Sequence, residues 1–250
     1  FKGMDFADLR RLQLDIEVAS DAGFPNAERR EDEVIIALAS RNQRLSQFWL
    51  TDQSGAAPVP SLVGKRVVIV DGEDARPSQE ATLARLGRSD ATRQDFLDAF
   101  ATLTLGSGAA AAVLGPAADH PGGHRLLGGV TRAATQHHDL CVGGFDGMRT
   151  DPQGLLAGGL ELVTSAWREA QAEWDWSHMD RYVMHQVSRV HVKAIVEALG
   201  IDGSRVPLTF PTFGNIGPAS LPITLAGEVD RVLCMGVGSG LNTAMLEIAW

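Results

Sequence analysis

Apolar and polar positions alternate along the chain in rhythms that change from segment to segment. Phe6–Ile16 carries apolar residues at 6, 9, 12 and 16 among charges, the spacing of one helix face. Val34–Ala39 is a continuous apolar run that predicts a buried strand, and Gln53–Pro60 reads as a loop from its Gly, Ser and Pro content. From Lys65 the rhythm sharpens. Arg66–Asp71 predicts a buried strand, Ser78–Leu86 and Arg93–Ala101 predict helices, and Ser107–Leu114 predicts a small-residue central strand packed on both sides. Leu126–Thr135 predicts the next strand. Asp151 is an N-cap, with Pro152 in the first turn of a helix that runs to about Ala172. A strand follows at Tyr182–His185, then a helix at Val190–Leu199 closed by Gly200. Next come a strand at Val206–Thr209, a helix over Asn215–Ala226, and closing strands at Arg231–Val237 and Ala244–Ala249. Strands alternating with helices imply an α/β fold with helices on both sheet faces.

Composition narrows the partners more than the fold. The 250 residues are 44% hydrophobic, enough to bury a core without disulfides or metal. Lys and Arg number 22 against 31 Asp and Glu, a net charge of −9. That balance disfavours nucleic acid and anionic membrane surfaces. No apolar run reaches the roughly 18–20 residues that span a bilayer. The opening FKGMDFADLRR is amphipathic and charged, unlike a signal peptide, and the chain opens on Phe1 rather than Met, so Phe1 need not be the gene's first residue. With two cysteines, Cys141 and Cys234, a disulfide scaffold is excluded and a reduced cytoplasmic setting is expected.

Candidate chemistry gathers in the last third. His185 ends an apolar strand, where open α/β sheets place ligand sites, although a histidine there also serves to cap the next helix. Asn215 stands between glycines in FGNIGP, placed to donate to an oxyanion or thioester carbonyl, or simply to cap the helix. Val237–Asn242, VGSGLN, is a glycine-rich turn joining two strands, whose N–H groups suit part of an oxyanion hole. It lacks the Lys-Ser/Thr pair of a phosphate loop. No metal site is expected, because the adjacent His137 and His138 diverge and the pair His185 and His191 matches no ligand spacing. Cys234 lies in the apolar run VLCMGV and reads as a small buried hydrophobe, and Cys141 lacks an evident cationic neighbour to activate it.

Together, HQVSRVH at 185–191, GNIGPASLPITLA at 214–226 and GVGSGLNTAMLEIAW at 236–250 resemble the thiolase superfamily, in its ketoacyl-acyl-carrier-protein synthase III branch. ATLTLGSGAAAAVLG at 101–115, GGVTRAATQHHDLC at 128–141 and MRTD at 148–151 are similar to the OleA-type enzymes, which join two fatty acyl-CoA chains head to head in olefin biosynthesis. The resemblance runs from about Lys65 to Trp250. It implies a layered α-β-α-β-α thiolase-like fold whose C-terminal half is about 125–250, with 1–64 a divergent or partial N-terminal region. It also implies a Claisen condensation in a dimeric, cytoplasmic acyltransferase that takes coenzyme A thioesters as substrates and needs no other cofactor. His185 and Asn215 match the family's catalytic pair, and Gly238 and Ser239 its backbone oxyanion hole.

The family's nucleophilic cysteine precedes the strand matching Arg66–Asp71, and no cysteine precedes Cys141 here. Phe1–Asp5 resembles the stretch just past that cysteine, and residues 33–45 resemble an earlier strand and a glutamate-bearing loop. The segment around Ala226 and Gly227 is shorter than the family's. Three expectations follow. The nucleophile lies on polypeptide outside these residues; or the chain is a cysteine-lacking subunit paired with a cysteine-bearing homologue; or it is a cysteine-free decarboxylase or hydrolase using His185 and Asn215. A ketoacyl synthase III acting in fatty acid synthesis is a further alternative.

Overall fold

The computed structural model describes residues 48–50, 57–59, 67–144, 147–226, 230–238 and 240–249. The expected helix at Phe6–Ile16 and strand at Val34–Ala39 lie outside them. Strands β1 (Phe48–Leu50) and β2 (Ala57–Val59) pair antiparallel, so part of the expected loop at Gln53–Pro60 is a strand. Strand β3 (Val67–Glu73) pairs antiparallel with β4 (Gly108–Leu114) as a ribbon. Between them lie α1 (Arg76–Leu86), α2 (Arg93–Asp98) and α3 (Phe100–Leu103). The helix expected over Arg93–Ala101 is thus split at Ala99, after a capping box in which Thr92 and Asp95 satisfy each other's backbone N–H.

The main sheet has four strands in the order β5 (Arg125–Ala133), β10 (Asn242–Ala249), β9 (Arg231–Gly238) and β8 (Arg181–Met184). Its pairs are antiparallel except β8 on β9, which is parallel. The period-2 alternation of side chains divides the core between its two faces. On one face Tyr182, Met184, Leu233, Met235, Met245 and Val130 pack against α4 (Pro152–Ala170) and α5 (Arg189–Leu199). On the other, Val183, Val232, Cys234 and Leu246 pack around Leu221 of α7 (Ser220–Leu225). Helices therefore cover both faces, as the alternating pattern implied.

Both long helices start and stop where the sequence says they should. Asp151 accepts from the N–H groups of Gln153 and Gly154 at the head of α4, with Pro152 behind it. Ser188 caps α5, and Gly200 ends it at φ +65°. Beyond α7 lies the β3–β4 ribbon, so helix, sheet, helix and ribbon stack in four successive layers of the thiolase-like arrangement. The packing on both sides of β4 that its small residues suggested is not seen among the described residues. Its residues alternate, with Ala109, Ala111 and Val113 exposed on the outer face. Strands β6 (Cys141–Gly144) and β7 (Gly147–Thr150) form a separate hairpin.

Two local expectations give way to side-chain chemistry. Val206–Thr209 is not a strand. Pro207 lacks an N–H, and its carbonyl accepts from Gln186 Nε2 at 2.6 Å, while the Thr209 N–H donates to Gln186 Oε1 at 2.7 Å, so a side chain takes the groups a ladder would use. A four-residue helix, α6 (Phe210–Phe213), follows instead. The helix expected over Asn215–Ala226 begins later, as a 3-10 turn at Gly217–Ala219 leading into α7.

The floor of the main sheet is held by one buried carboxylate. Glu247, 3% exposed, accepts from Trp176 Nε1 at 2.8 Å and from the Arg231 guanidinium at 2.6 and 3.0 Å. Trp176 stacks on Trp174 and its carbonyl accepts from the Tyr182 hydroxyl. Replacing Glu247 with Ala leaves the indole N–H unpaired, while Arg231, partly exposed, regains water. The expected cost is about 1–3 kcal/mol in chemical denaturation.

Candidate active site

His185 follows directly on β8. Its backbone N–H donates to the Met235 carbonyl at 2.9 Å, extending the parallel register in which Met184 faces Met235. The residue therefore sits beside Gly236, at the C-terminal edge of β8 and β9, and is half-buried. Gly238 ends β9 two residues further along this edge, buried and paired with Asn242 across the closing turn. The Thr243 hydroxyl donates to the Gly236 carbonyl at 2.9 Å and fixes that strand end. Ser239 lies outside the described residues. Past the turn, Leu241 holds a left-handed conformation at φ +49° and buries its side chain with Ala134 and Leu162, while its carbonyl accepts from the Ala134 N–H.

Asn215 lies on the loop that heads α7. Its backbone N–H donates to the Thr104 carbonyl at 3.0 Å, and its carbonyl accepts from the Gly106 N–H at 2.7 Å, forming a parallel bridge with Leu105. That close approach requires glycine. A Cβ on Gly106 would overlap the Phe213 carbonyl, and one on Gly214, at φ +74°, would meet the Thr104 carbonyl at 2.9 Å. The Gln79 side chain donates to the Leu105 carbonyl at 2.9 Å and braces the bridge from α1. Asn215 Oδ1 accepts from the Gly217 N–H at 3.1 Å. The side chain thus caps its own turn through oxygen and leaves its NH2 group without a protein acceptor among the described residues.

Gln186 joins these two halves. It is fully buried, and besides the bonds to Pro207 and Thr209 its Oε1 accepts from the Phe210 N–H at 3.0 Å. The residue next to His185 therefore clamps the segment that leads, through α6, into Asn215. A second tie, Thr209 to Thr224 at 2.8 Å between hydroxyls, fastens the same segment to α7. The sequence named His185, Asn215 and Gly238 but not Gln186. The available signal was a polar side chain after an apolar strand, adjacent to a candidate catalytic residue.

Titratable groups around this edge are held toward neutral forms. His191 Nδ1 lies 2.8 Å from the Ser188 hydroxyl, and burial, then the neighbouring His185, pushes its pKa down. Burial also raises the pKa of Glu73, at the end of β3, with Asp74 adding to it. Cys234, on the α7 face of the sheet, is pushed up to about 12 by burial, so it is a thiol and not a nucleophile at neutral pH. Cys141 is buried at the start of β6. Among the described residues no group of three or more His, Cys, Asp or Glu could hold a metal ion, and no helix is long and apolar enough to cross a membrane. A charged cleft of about 1140 Å³, lined by residues including Arg125, Arg181, Arg205 and Asp230, opens at the opposite edge of the main sheet, away from His185.

The arrangement can hold an anionic oxygen. It offers an imidazole and a glycine-lined strand end at one sheet edge, and an amide NH2 on the segment that Gln186, next to His185, clamps. Residues 170–250 match the family of the 3-oxoacyl-[acyl-carrier-protein] synthase III C terminal. The chain is 42% identical over 193 residues to an acyl-CoA:acyl-CoA alkyltransferase of Xanthomonas campestris, covering 73% of this chain and 57% of that protein. It is 35% identical over 208 residues to an acyl-CoA:acyl-CoA alkyltransferase of Shewanella oneidensis, covering 74% and 59%. Among solved structures it matches OleA of Xanthomonas campestris with bound lauric acid and lauroyl-CoA, at a TM-score of 0.71 and 41% identity, covering 74% of this chain and 58% of that one. The chain thus spans less than two thirds of the length of these relatives.

If Gln186 is the clamp, Gln186→Ala unpairs two backbone donors and one acceptor. The expected loss is about 2–4 kcal/mol in urea denaturation, with faster hydrogen exchange at the Thr209 and Phe210 amides.

Proposed function

We propose, on the premise that this chain belongs to the 3-oxoacyl-acyl-carrier-protein synthase III branch of the thiolase superfamily, that it forms part of an acyltransferase joining two fatty acyl-CoA molecules by Claisen condensation. The observation that supports this reading is the clamp by Gln186, next in the chain to His185 at the glycine-lined strand end, on the segment that leads into Asn215, whose NH2 group has no acceptor among the described residues. A cysteine outside these residues takes one acyl group as a thioester and releases CoA. The second acyl-CoA loses an α-proton to a base, and its α-carbon attacks the acyl-enzyme carbonyl. The carbon–sulfur bond to the enzyme breaks, the cysteine leaves as thiolate, and a 2-alkyl-3-oxoacyl-CoA is released. His185 and Asn215 donate to the thioester oxygen of the second substrate as negative charge builds on it. Donors fixed before reaction cost no reorganisation when that charge develops. The backbone N–H groups of the turn at Gly238 and Ser239 serve the carbonyl under attack.

CoA thioesters enter as substrates, and the reading calls for no resident cofactor. It places the enzyme in the cytoplasm as a dimer, its product feeding hydrocarbon biosynthesis. A second reading is a subunit supporting a cysteine-bearing homologue.

Intact mass after incubation with a long-chain acyl-CoA separates the two. In the first reading the polypeptide carrying this chain gains one acyl group, on neither Cys141 nor Cys234. In the second only a co-purifying homologue gains it. In both, His185→Ala and Asn215→Ala each lower the rate of 3-oxoacyl product formation by about 10²–10³-fold. Unchanged rates in both variants would show the site to be idle.

A further inference from the structure

Glu73 is an acid that neither the sequence nor the condensation scheme uses. It ends β3 and lies against the turn that carries Asn215, with Oε2 2.5 Å from where a Cβ on Gly217 would stand. Gly217 takes φ +52°, so the seat exists because residue 217 has no side chain. The same glycine donates its N–H to Asn215 Oδ1. One residue therefore sets both side chains, the Glu73 carboxyl against its Cα and the Asn215 amide on its N–H.

Nothing in the fold repays this placement. The carboxyl is half-buried, and among the described residues no hydrogen bond satisfies it. Burial pushes its pKa up, and the adjacent Asp74 pushes the same way. An apolar residue of similar volume would fill the space without that desolvation cost. An acid kept half-buried against a turn that carries a candidate site residue is a place where local stability gives way to function.

We propose that Glu73 is a positioning residue of this site, bracing the Asn215–Gly217 turn so that the Asn215 oxygen stays on Gly217 and its NH2 group stays available to a substrate oxygen. The part played by that NH2 group rests on the condensation reading; the bracing itself does not.

The test uses the full polypeptide carrying this chain, labelled with ¹⁵N-asparagine, and the Asn215 side-chain signal is assigned by its loss in Asn215→Ala. Glu73→Ala is expected to shift that signal and to lower kcat for condensation at least tenfold, with KM changed less than twofold. Glu73→Gln keeps the shape and should hold the signal in place and kcat within threefold of the parent. Gly217→Ala puts a methyl group into the carboxyl's seat and should reproduce the Glu73→Ala shift. Should Glu73→Ala fail to fold, Glu73→Gln and Gly217→Ala decide the question. An Asn215 signal that stays in place in folded Glu73→Ala or Gly217→Ala overturns the proposal, as does a shifted signal with unchanged kcat. A Glu73→Gln protein as impaired as Glu73→Ala overturns it too. If the parent makes no condensation product, the functional reading fails, and the Asn215 signal alone still decides whether Glu73 braces the turn.

Discussion

The parallel ladder of β8 on β9 is the constraint from which the rest of the site follows. Antiparallel neighbours would leave the end of β8 beside the start of β9, where Arg231 and Asp230 lie. The parallel register instead sets Met184 against Met235 and carries His185 to the end at which β9 runs into Gly236 and Gly238. Because side chains alternate along a strand, the same register sends Tyr182 and Met184 to the α4–α5 face and Val183 to the α7 face. A slip of one residue would exchange the two faces and bury the wrong set. The core therefore guards the register, and the register places the histidine.

A strand end alone does not make a site; loops must be held to it. Here buried amide chemistry does so. Gln186 takes three backbone groups of residues 207–210, and Thr104 and Gly106 take both backbone groups of Asn215. Each bond replaces one that the segment would otherwise make within a helix or ladder. Residues 206–209 are irregular for that reason, and the helix after Asn215 starts late. The irregular backbone is not slack, since its polar groups are paired to neighbours that the sheet already fixes.

These points also explain what the sequence made legible. Helix ends at Asp151 and Gly200 follow from local chemistry, and the structure places them there. So do the strands at 67–73, 125–133, 231–238 and 242–249, where apolar periodicity and turn residues agree. His185, Asn215 and Gly238 stood out as candidates because of their neighbours: an apolar strand end, flanking glycines, a glycine turn between strands. What was not readable depends on contacts far apart in sequence. The strand expected at Val206–Thr209 was lost to a glutamine 20 or so residues away. The outer face of β4 carries the same alanines as its inner face, so composition alone could not say which side was covered. Glu73 sits beside Gly217 only because β3 and the start of α7 occupy adjacent layers.

The electrostatic character of this edge differs from that of the molecule as a whole. The chain carries a net charge of −9, yet the partly buried groups around the site are pushed toward neutrality: His191 downward by burial and His185, Glu73 upward by burial and Asp74. An enolate forming on a thioester is itself anionic. A fixed carboxylate within a few ångströms would oppose it by several kcal/mol at a protein-like dielectric. An imidazole and an amide avoid that opposition. Acidic charge on the exterior is compatible with anion chemistry inside, provided the edge between them stays dry and its donors stay aimed.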